Sequence, residues 1–369
     1  MKKKIILISV NVLLVIGFFV CLGISNAIIS PLHSQQAAAA WGGQSGERFA
    51  QVSAFFPEAH HFEMRDIHSL RQTVDTALMT VSIDIRDERR FYADAWSAEG
   101  SAFVIGERGE ISASVIGVGG DFFLFHPLRL RDGSYITPND LMRDRVILDE
   151  DLAWQLFGSV QLAGLEVLID NRPFVIAGVV ARDNDFASRR AYEGGAGLFM
   201  AYESLSLVTQ DSAQIISYEI VMPDPVTGFA YDTISEFFRG TDVLVVENNT
   251  RFSLSSAFSA IGSFGERGMQ TVALQLPHWE NAARLAEDMQ ALLLAISLVL
   301  IITPTVFFII FLVKLGIYLF KRGKRTLLKT IEERDRRDYE KYLAKHYHNI
   351  DQSGYSVDEI IREVNGDSF

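Results

Sequence analysis

Gly117-Val118-Gly119-Gly120-Asp121-Phe122-Phe123 leads into Pro127-Leu128-Arg129-Leu130-Arg131-Asp132-Gly133, and the stretch from here to Val180 decides the fold. Asp140 follows, then Val146-Ile147-Leu148-Asp149, Leu152-Ala153 and Leu156-Phe157-Gly158. A strand at 167–169 and Phe174-Val175-Ile176-Ala177-Gly178-Val179-Val180 close it. Gly119 and Gly120 allow a tight turn into a buried Phe122-Phe123 pair. Residues 146–148 form a short apolar run that suits an interior strand, and a helix over 150–157 sets Leu152, Leu156 and Phe157 on one face to cover it. Gly158 ends that helix. Every piece of the run is scaffold, so it specifies a core before it specifies any chemistry.

Working outward, 165–169 and 174–180 read as a hairpin about Asp170-Asn171. Upstream, 102–107 and 110–118 make a second hairpin about Arg108-Gly109, and 91–96 alternates as a strand. Ile67, Leu70, Val74 and Leu78 recur at helical spacing over 66–78, with Asp66 as the expected cap. Downstream, strands at 215–222 and 243–247 flank a helix over 226–239. Short hairpins interleaved with helices predict an α+β domain, not a doubly wound parallel sheet. No internal repeat interrupts the pattern.

Both ends of the chain are apolar. Residues 5–24 follow Lys2, Lys3 and Lys4, and residues 291–320 run into Lys321, Arg322, Lys324 and Arg325. Each is long enough to cross the ~30 Å hydrocarbon core as a helix. Basic residues stay on the cytoplasmic side, so both termini are expected there and the middle of the chain outside. The expected divisions are a cytoplasmic start at 1–4, a first span at 5–26, an outer domain at 27–276, a stalk and second span at 277–320, and a cytoplasmic tail at 321–369. Ser25-Asn26-Ala27 could mark a cleavage site, but the apolar run exceeds a signal peptide's usual 7–15 residues, which favours an uncleaved anchor in a cell membrane. Cys21, the single cysteine, can form no internal disulfide.

Pro277 suits a first helical turn. A helix over 277–320 would be about 65 Å long, more than a bilayer needs, so part of it would stand outside as a stalk. Such a stalk either couples the outer domain to events in the bilayer or merely holds the domain off the surface. Pro304, between Thr303 and Thr305, frees a backbone carbonyl and permits a bend. Lys314 is within reach of the cytoplasmic interface and is expected to anchor there. Residues 326–347 carry opposite charges at close spacing, as a charged helix does, ahead of a polar tail.

No lysine occurs between Lys4 and Lys314. Between Lys4 and Lys314 the chain holds 19 arginines against 36 carboxylates, a net of −17, whereas the tail is nearly balanced. An acidic outer domain repels nucleic acid, which excludes it as a partner. Catalytic sets are missing too. His60, His61 and His68 lack the cysteines or carboxylates of a metal site. The 117–121 segment lacks dinucleotide-loop spacing, and there is no Walker A sequence. Asp183-Asn184-Asp185 opens like a calcium loop but lacks its later glycine and glutamate. Asn248-Asn249-Thr250 fits a glycosylation acceptor. Neither catalysis nor a cofactor is expected of this chain.

In order and spacing, the 117–180 pieces resemble the periplasmic core domain of MacB-type ABC transporter permeases. That family shows a V-x-x-x-[FY]-F segment, a G-R-x-[FI]-x-x-x-D turn, a strand and helix ending A-x-x-L-F-G, and a closing F-x-V-V-G-V strand. The matching positions are Gly119, Gly120, Asp121, Phe122, Phe123, Gly133, Asp140, Leu156, Phe157, Gly158 and Gly178, with Ser134 where the family commonly has arginine. The resemblance implies a MacB-core-like α+β domain between membrane helices that continue outward as stalks. It also implies an ATPase acting in trans and a second permease or a self-dimer as partners. Four membrane helices are usual in the family, and two are expected here. Pro277, Pro304, Lys314, Lys321, Arg322, Lys324 and Arg325 would then carry coupling and hinge motion. The other reading is a bilayer-anchored module that keeps the fold to bind an envelope protein or peptide without transport.

Overall fold

In the computed structural model, residues 2–43, 47–81, 90–192, 197–209, 213–262 and 276–353 are described. In chain order they form α1 (Lys2–Ile29), a 3-10 turn (His33–Gln35), α2 (Ala37–Gly42), β1 (Phe49–Phe55), α3 (Met64–Thr80), β2 (Ala93–Gly106), β3 (Gly109–Gly120) and α4 (Phe122–Phe125). Next come β4 (Arg129–Gly133), β5 (Arg145–Asp149), α5 (Glu150–Leu156), β6 (Glu166–Ile169), β7 (Arg172–Ala181) and α6 (Ser188–Ala191). The rest are β8 (Gly197–Ala201), α7 (Tyr202–Val208), β9 (Ile215–Pro223), α8 (Phe229–Phe237), β10 (Leu244–Glu247), α9 (Leu254–Gly262) and α10 (His278–Ser353). The polar end of the expected tail, 354–369, lies outside the described residues.

The chain divides into two units, Ile16–Val299 and Met1–Val15 with Leu300–Phe369. In the second unit α1 and α10 leave most of their large apolar side chains exposed, from Ile5 to Leu13 and from Ile302 to Phe320. Both helices are long and apolar enough to cross a membrane. α10 is unbroken for 76 residues, so the separate charged helix expected at 326–347 is a continuation of one element. Pro304 sits inside it without ending it.

The first unit is built on one mixed sheet, ordered β10-β1-β9-β2-β3-β8-β5-β7-β4. β6 pairs with both β7 and the far end of β2, through Val104↔Ile169. The pairings β2-β3-β8-β5-β7-β6 therefore close into a ring. Inside it lie Val104, Val115, Val146, Leu148, Ile169, Ile176 and Met200, sealed by Leu152 and Leu156 of α5 and Leu205 of α7. Beyond the ring, α3 and α8 cover β1 and β9 through Ile67, Leu70, Val74, Leu78 and Ile234.

Several expectations shift in detail. The strands expected at 91–96 and 102–107 are one strand, β2, because Gly100 pairs with Val115 and continues the ladder. The α3 capping position is Glu63, and Asp66 serves from the third helical position by accepting the Glu63 N–H at 2.9 Å. Asp170 and Asn171, both at positive φ, make the tight turn expected between β6 and β7. At the end of β4 the required glycine is Gly133, at φ 72, where a Cβ would lie 2.1 Å from the Ala177 carbonyl oxygen.

Candidate functional site

Where the sheet meets the membrane-proximal helices, polar residues are buried in a row. Pro31 follows the end of α1, and the 3-10 turn beyond it directs Gln35 inward. Beyond β10 the chain turns through Asn248-Asn249-Thr250, and Arg251 points back beneath the sheet with its side chain 2% exposed. Leu276 and Pro277 precede α10, and the Pro277 carbonyl accepts the N–H groups of Glu280 and Asn281. Pro277 thus stands just before the helix and sets its start. Glu280 and Glu287, seven residues apart on α10, occupy one face and meet Arg251.

The guanidinium fork of Arg251 donates to both oxygens of Glu280 at 2.6 and 2.8 Å, and its Nε donates to Glu287 at 2.5 Å. Nη1 also reaches Gln35 at 3.2 Å. The Asn248 amide is hydrogen-bonded to Gln35 at 2.8 Å and to Ser53 of β1 at 3.0 Å. Ser53 donates to Glu219 of β9 at 3.1 Å, and Glu219 meets His126 Nε2 at 2.5 Å. His126 packs its ring on Trp279 in the first turn of α10, with centroids 4.3 Å apart. One buried hydrogen-bonded path thus joins the turn after α1, the sheet and the start of α10.

Burial alone would push the Arg251 guanidinium down, but the charges and hydrogen bonds of Glu280 and Glu287 outweigh it and hold it above its ordinary value. Arg251 is therefore a permanent cation between two carboxylates, and in a dry setting such a set resists any displacement that parts its members. An apolar cluster lies beside it: Ile28 and Leu32 pack with Ala187, Ala191, Ala282, Ala286 and Leu293. His278 stacks on Tyr192 at 4.2 Å, and burial, then His126 and Arg182, push its imidazole down to about 3.

Of the residues singled out in the sequence, Pro277 borders this junction and Pro304 lies further along α10. Lys314, Lys321, Arg322, Lys324 and Arg325 are exposed on that helix. The motif residues are placed as scaffold. Leu156 seals the ring and Phe157 packs on it. Gly158 follows α5 beneath the Arg108 guanidinium, and Gly178 faces Gly133 across β7 and β4. Phe123 stacks on Tyr135 at 4.8 Å. Asp140 closes its turn by accepting the Thr137 N–H at 3.1 Å. Gly119, Gly120, Asp121 and Phe122 also line a cleft. Asp185 accepts the Ala187 and Ser188 N–H groups at the start of α6.

Sequence reading missed the junction. Gln35, Ser53, His126, Glu219 and Arg251 form no local motif, and Asn248, read as a glycosylation acceptor, is buried in the path at 3% exposure. The one sequence signal was Glu280-x6-Glu287 on one helix face, two carboxylates with a single arginine, Arg284, between them.

Residues 12–227 match the family model described as the MacB-like periplasmic core domain. Over 80 residues, 21% of the chain, the sequence is 38% identical to the macrolide export ATP-binding/permease protein MacB of Chromobacterium violaceum. It is 31% identical over 80 residues to the protein of the same name from Aggregatibacter actinomycetemcomitans. The match spans 12% of the length of each of these relatives. The periplasmic region of MacB from Actinobacillus actinomycetemcomitans aligns at TM-score 0.39 and 18% identity, over 54% of this chain and 89% of that one. The extracellular domain of the noncanonic ABC-type transporter YknZ from Gram-positive bacteria aligns at 0.37 and 18%, over 53% and 99%. With more than half of its residues in the match, and with the glycine turns, the 146–158 strand and helix and the 174–180 strand in their expected order, this chain belongs to the MacB-like periplasmic core domain family.

Proposed function

We propose that the chain is a membrane-anchored permease-type subunit of a MacB-like ABC transporter. In this reading both termini are cytoplasmic, residues 27–276 are extracytoplasmic, and an ATPase in trans, with a second permease or another copy of the chain, drives export. The observation that carries it is the Arg251 junction together with the continuity of α10. Glu280 and Glu287 tie the start of that helix to the sheet through buried ion pairs, and the same helix continues past Pro304 to the basic run at 321–325. A helix fixed this way hands its displacement to the sheet instead of sliding past it. Pro304 would supply the bend, Lys314 the anchor at the interface, and Lys321, Arg322, Lys324 and Arg325 the contact with the ATPase. The printed function of the relatives, macrolide export, supports export as the class of activity.

Affinity purification of the tagged full chain from its own membranes tests this reading. Recovery of an ATPase subunit, lost on deletion of residues 321–369, is the expected outcome. Recovery of envelope proteins alone, unchanged by that deletion, would replace it with the reading of a membrane-anchored binding or sensing module.

A further inference from the structure

α9 has three different sides. Ala257 and Ala260 are buried. Leu254 and Phe258, one turn apart, stand on an adjacent side at 62% and 48% exposure, and the half-buried Ile261 continues their line. Ser255 and Ser259 are exposed on the third side. Residues 252–262 contain no charged side chain, although the chain between Lys4 and Lys314 carries a net −17. A single exposed leucine or phenylalanine needs no explanation. What singles these out is the place where the helix is fixed.

Ser253 starts α9, its hydroxyl accepting the Ser256 N–H at 3.2 Å. Phe252, just before it, packs in the cluster that holds Ile28 at the end of α1 and Leu293 of α10. The Phe252 carbonyl accepts the Gln290 side-chain amide at 2.9 Å. Gln290 is the last residue before the apolar run of α10 opens at Ala291, and that run exposes Leu292, Ile296 and Val299 in its first turns. α9 is thus tied to α10 at the point where that helix passes from polar to apolar surface. A helix with an apolar side and a serine side, held at that level, suits the boundary between headgroups and acyl chains, where such helices bury their apolar face by about 5–10 Å. With no cation on α9, the attraction comes from apolar area and not from anionic headgroups, which repel the acidic remainder of the domain.

We propose that α9 is a lipid-contacting helix, seated in the leaflet that α10 enters first, with Leu254, Phe258 and Ile261 among the acyl chains and its serines toward water. The inference rests on α1 and α10 crossing the bilayer and not on the coupling reading. Spin labels on the full chain in liposomes test it, carried on Phe258→Cys, Leu141→Cys and Phe308→Cys in a Cys21→Ala background. Collisions with oxygen, which concentrates among acyl chains, are compared with those of a water-soluble nickel chelate. Oxygen should exceed nickel at Phe258→Cys, as at Phe308→Cys within the span, and the order should reverse at Leu141→Cys, a position 97% exposed in the 136–143 loop. The oxygen excess at 258 should persist in high salt, because no charge holds the helix down. Phe258→Trp with Cys21 kept gives a second measurement: phospholipids brominated on their acyl chains should remove most of the emission that it adds over the parent. Nickel exceeding oxygen at 258 beside an oxygen excess at 308 would overturn the assignment alone, as would unquenched emission from Phe258→Trp. A label at 258 screened from both reagents would overturn it in favour of a covering protein, a second copy included. Nickel exceeding oxygen at 308 as well would overturn the span together with it.

Discussion

Arg251 is held by two carboxylates on the same helix, and its removal leaves Glu280 and Glu287 buried without the cation between them. Arg251→Met should therefore cost about 3–5 kcal/mol of stability, read as a lowered melting temperature of the full chain in detergent. Replacing the three together, Arg251→Met with Glu280→Leu and Glu287→Leu, should recover only part of that loss, because Arg284, paired with Glu280 at 2.9 Å, then loses that carboxylate. A different limit applies at Gly119, where any side chain meets the Trp96 indole at 2.1–2.4 Å. Gly119→Ala should destabilise by about 1–3 kcal/mol, measured by the same melt.

Among the elements, α5 shows how one side chain can hold several in place. Asp149 accepts the Leu152 N–H at 2.6 Å as the cap of α5, the Gly197 N–H at 2.5 Å where β8 begins, and Arg182 Nε at 2.8 Å just beyond β7. Burial raises its pKa, against the opposing pull of Arg182. Asp149→Ala removes the cap and leaves the Gly197 N–H unpaired, an expected cost of about 2–3 kcal/mol in a chemical denaturation curve. Leu156, fully buried at the C-terminal end of the same helix, should cost about 2–5 kcal/mol as Leu156→Ala. α10 behaves otherwise. Pro304 is accommodated without a break, so Pro304→Ala should leave the melt unchanged.

At the scale of the molecule, stability should vary with pH through Glu99 on β2. Burial pushes its carboxyl from 4.5 up to about 7. The folded-state value lies above the unfolded one, so the contribution is fully present below about pH 4.5 and is lost as pH rises through 7. Glu99→Gln should raise stability at pH 8 by on the order of 2 kcal/mol, seen as a higher melting temperature, and change nothing at pH 4. An unchanged difference across that range would show that folding leaves the Glu99 pKa at its unfolded value.

What the sequence determined by itself was local. The apolar ends, the Asp170-Asn171 turn, the helical spacing of Ile67, Leu70, Val74 and Leu78, and the strand, helix and glycine of 146–158 are all written in periods and caps that neighbouring residues set. The tertiary structure decided whatever depends on partners far along the chain. β1 and β8 carry weak strand signals and are fixed by pairing with β9, β10, β3 and β5. β6 closes the ring only because Ile169 reaches Val104. The junction draws Gln35, Ser53, His126, Glu219, Asn248, Arg251 and Glu280 from widely separated segments, and only in the folded chain does each find its partner. Side-chain period reveals which face is apolar, whereas the burial of a polar group depends on a partner that no local window contains.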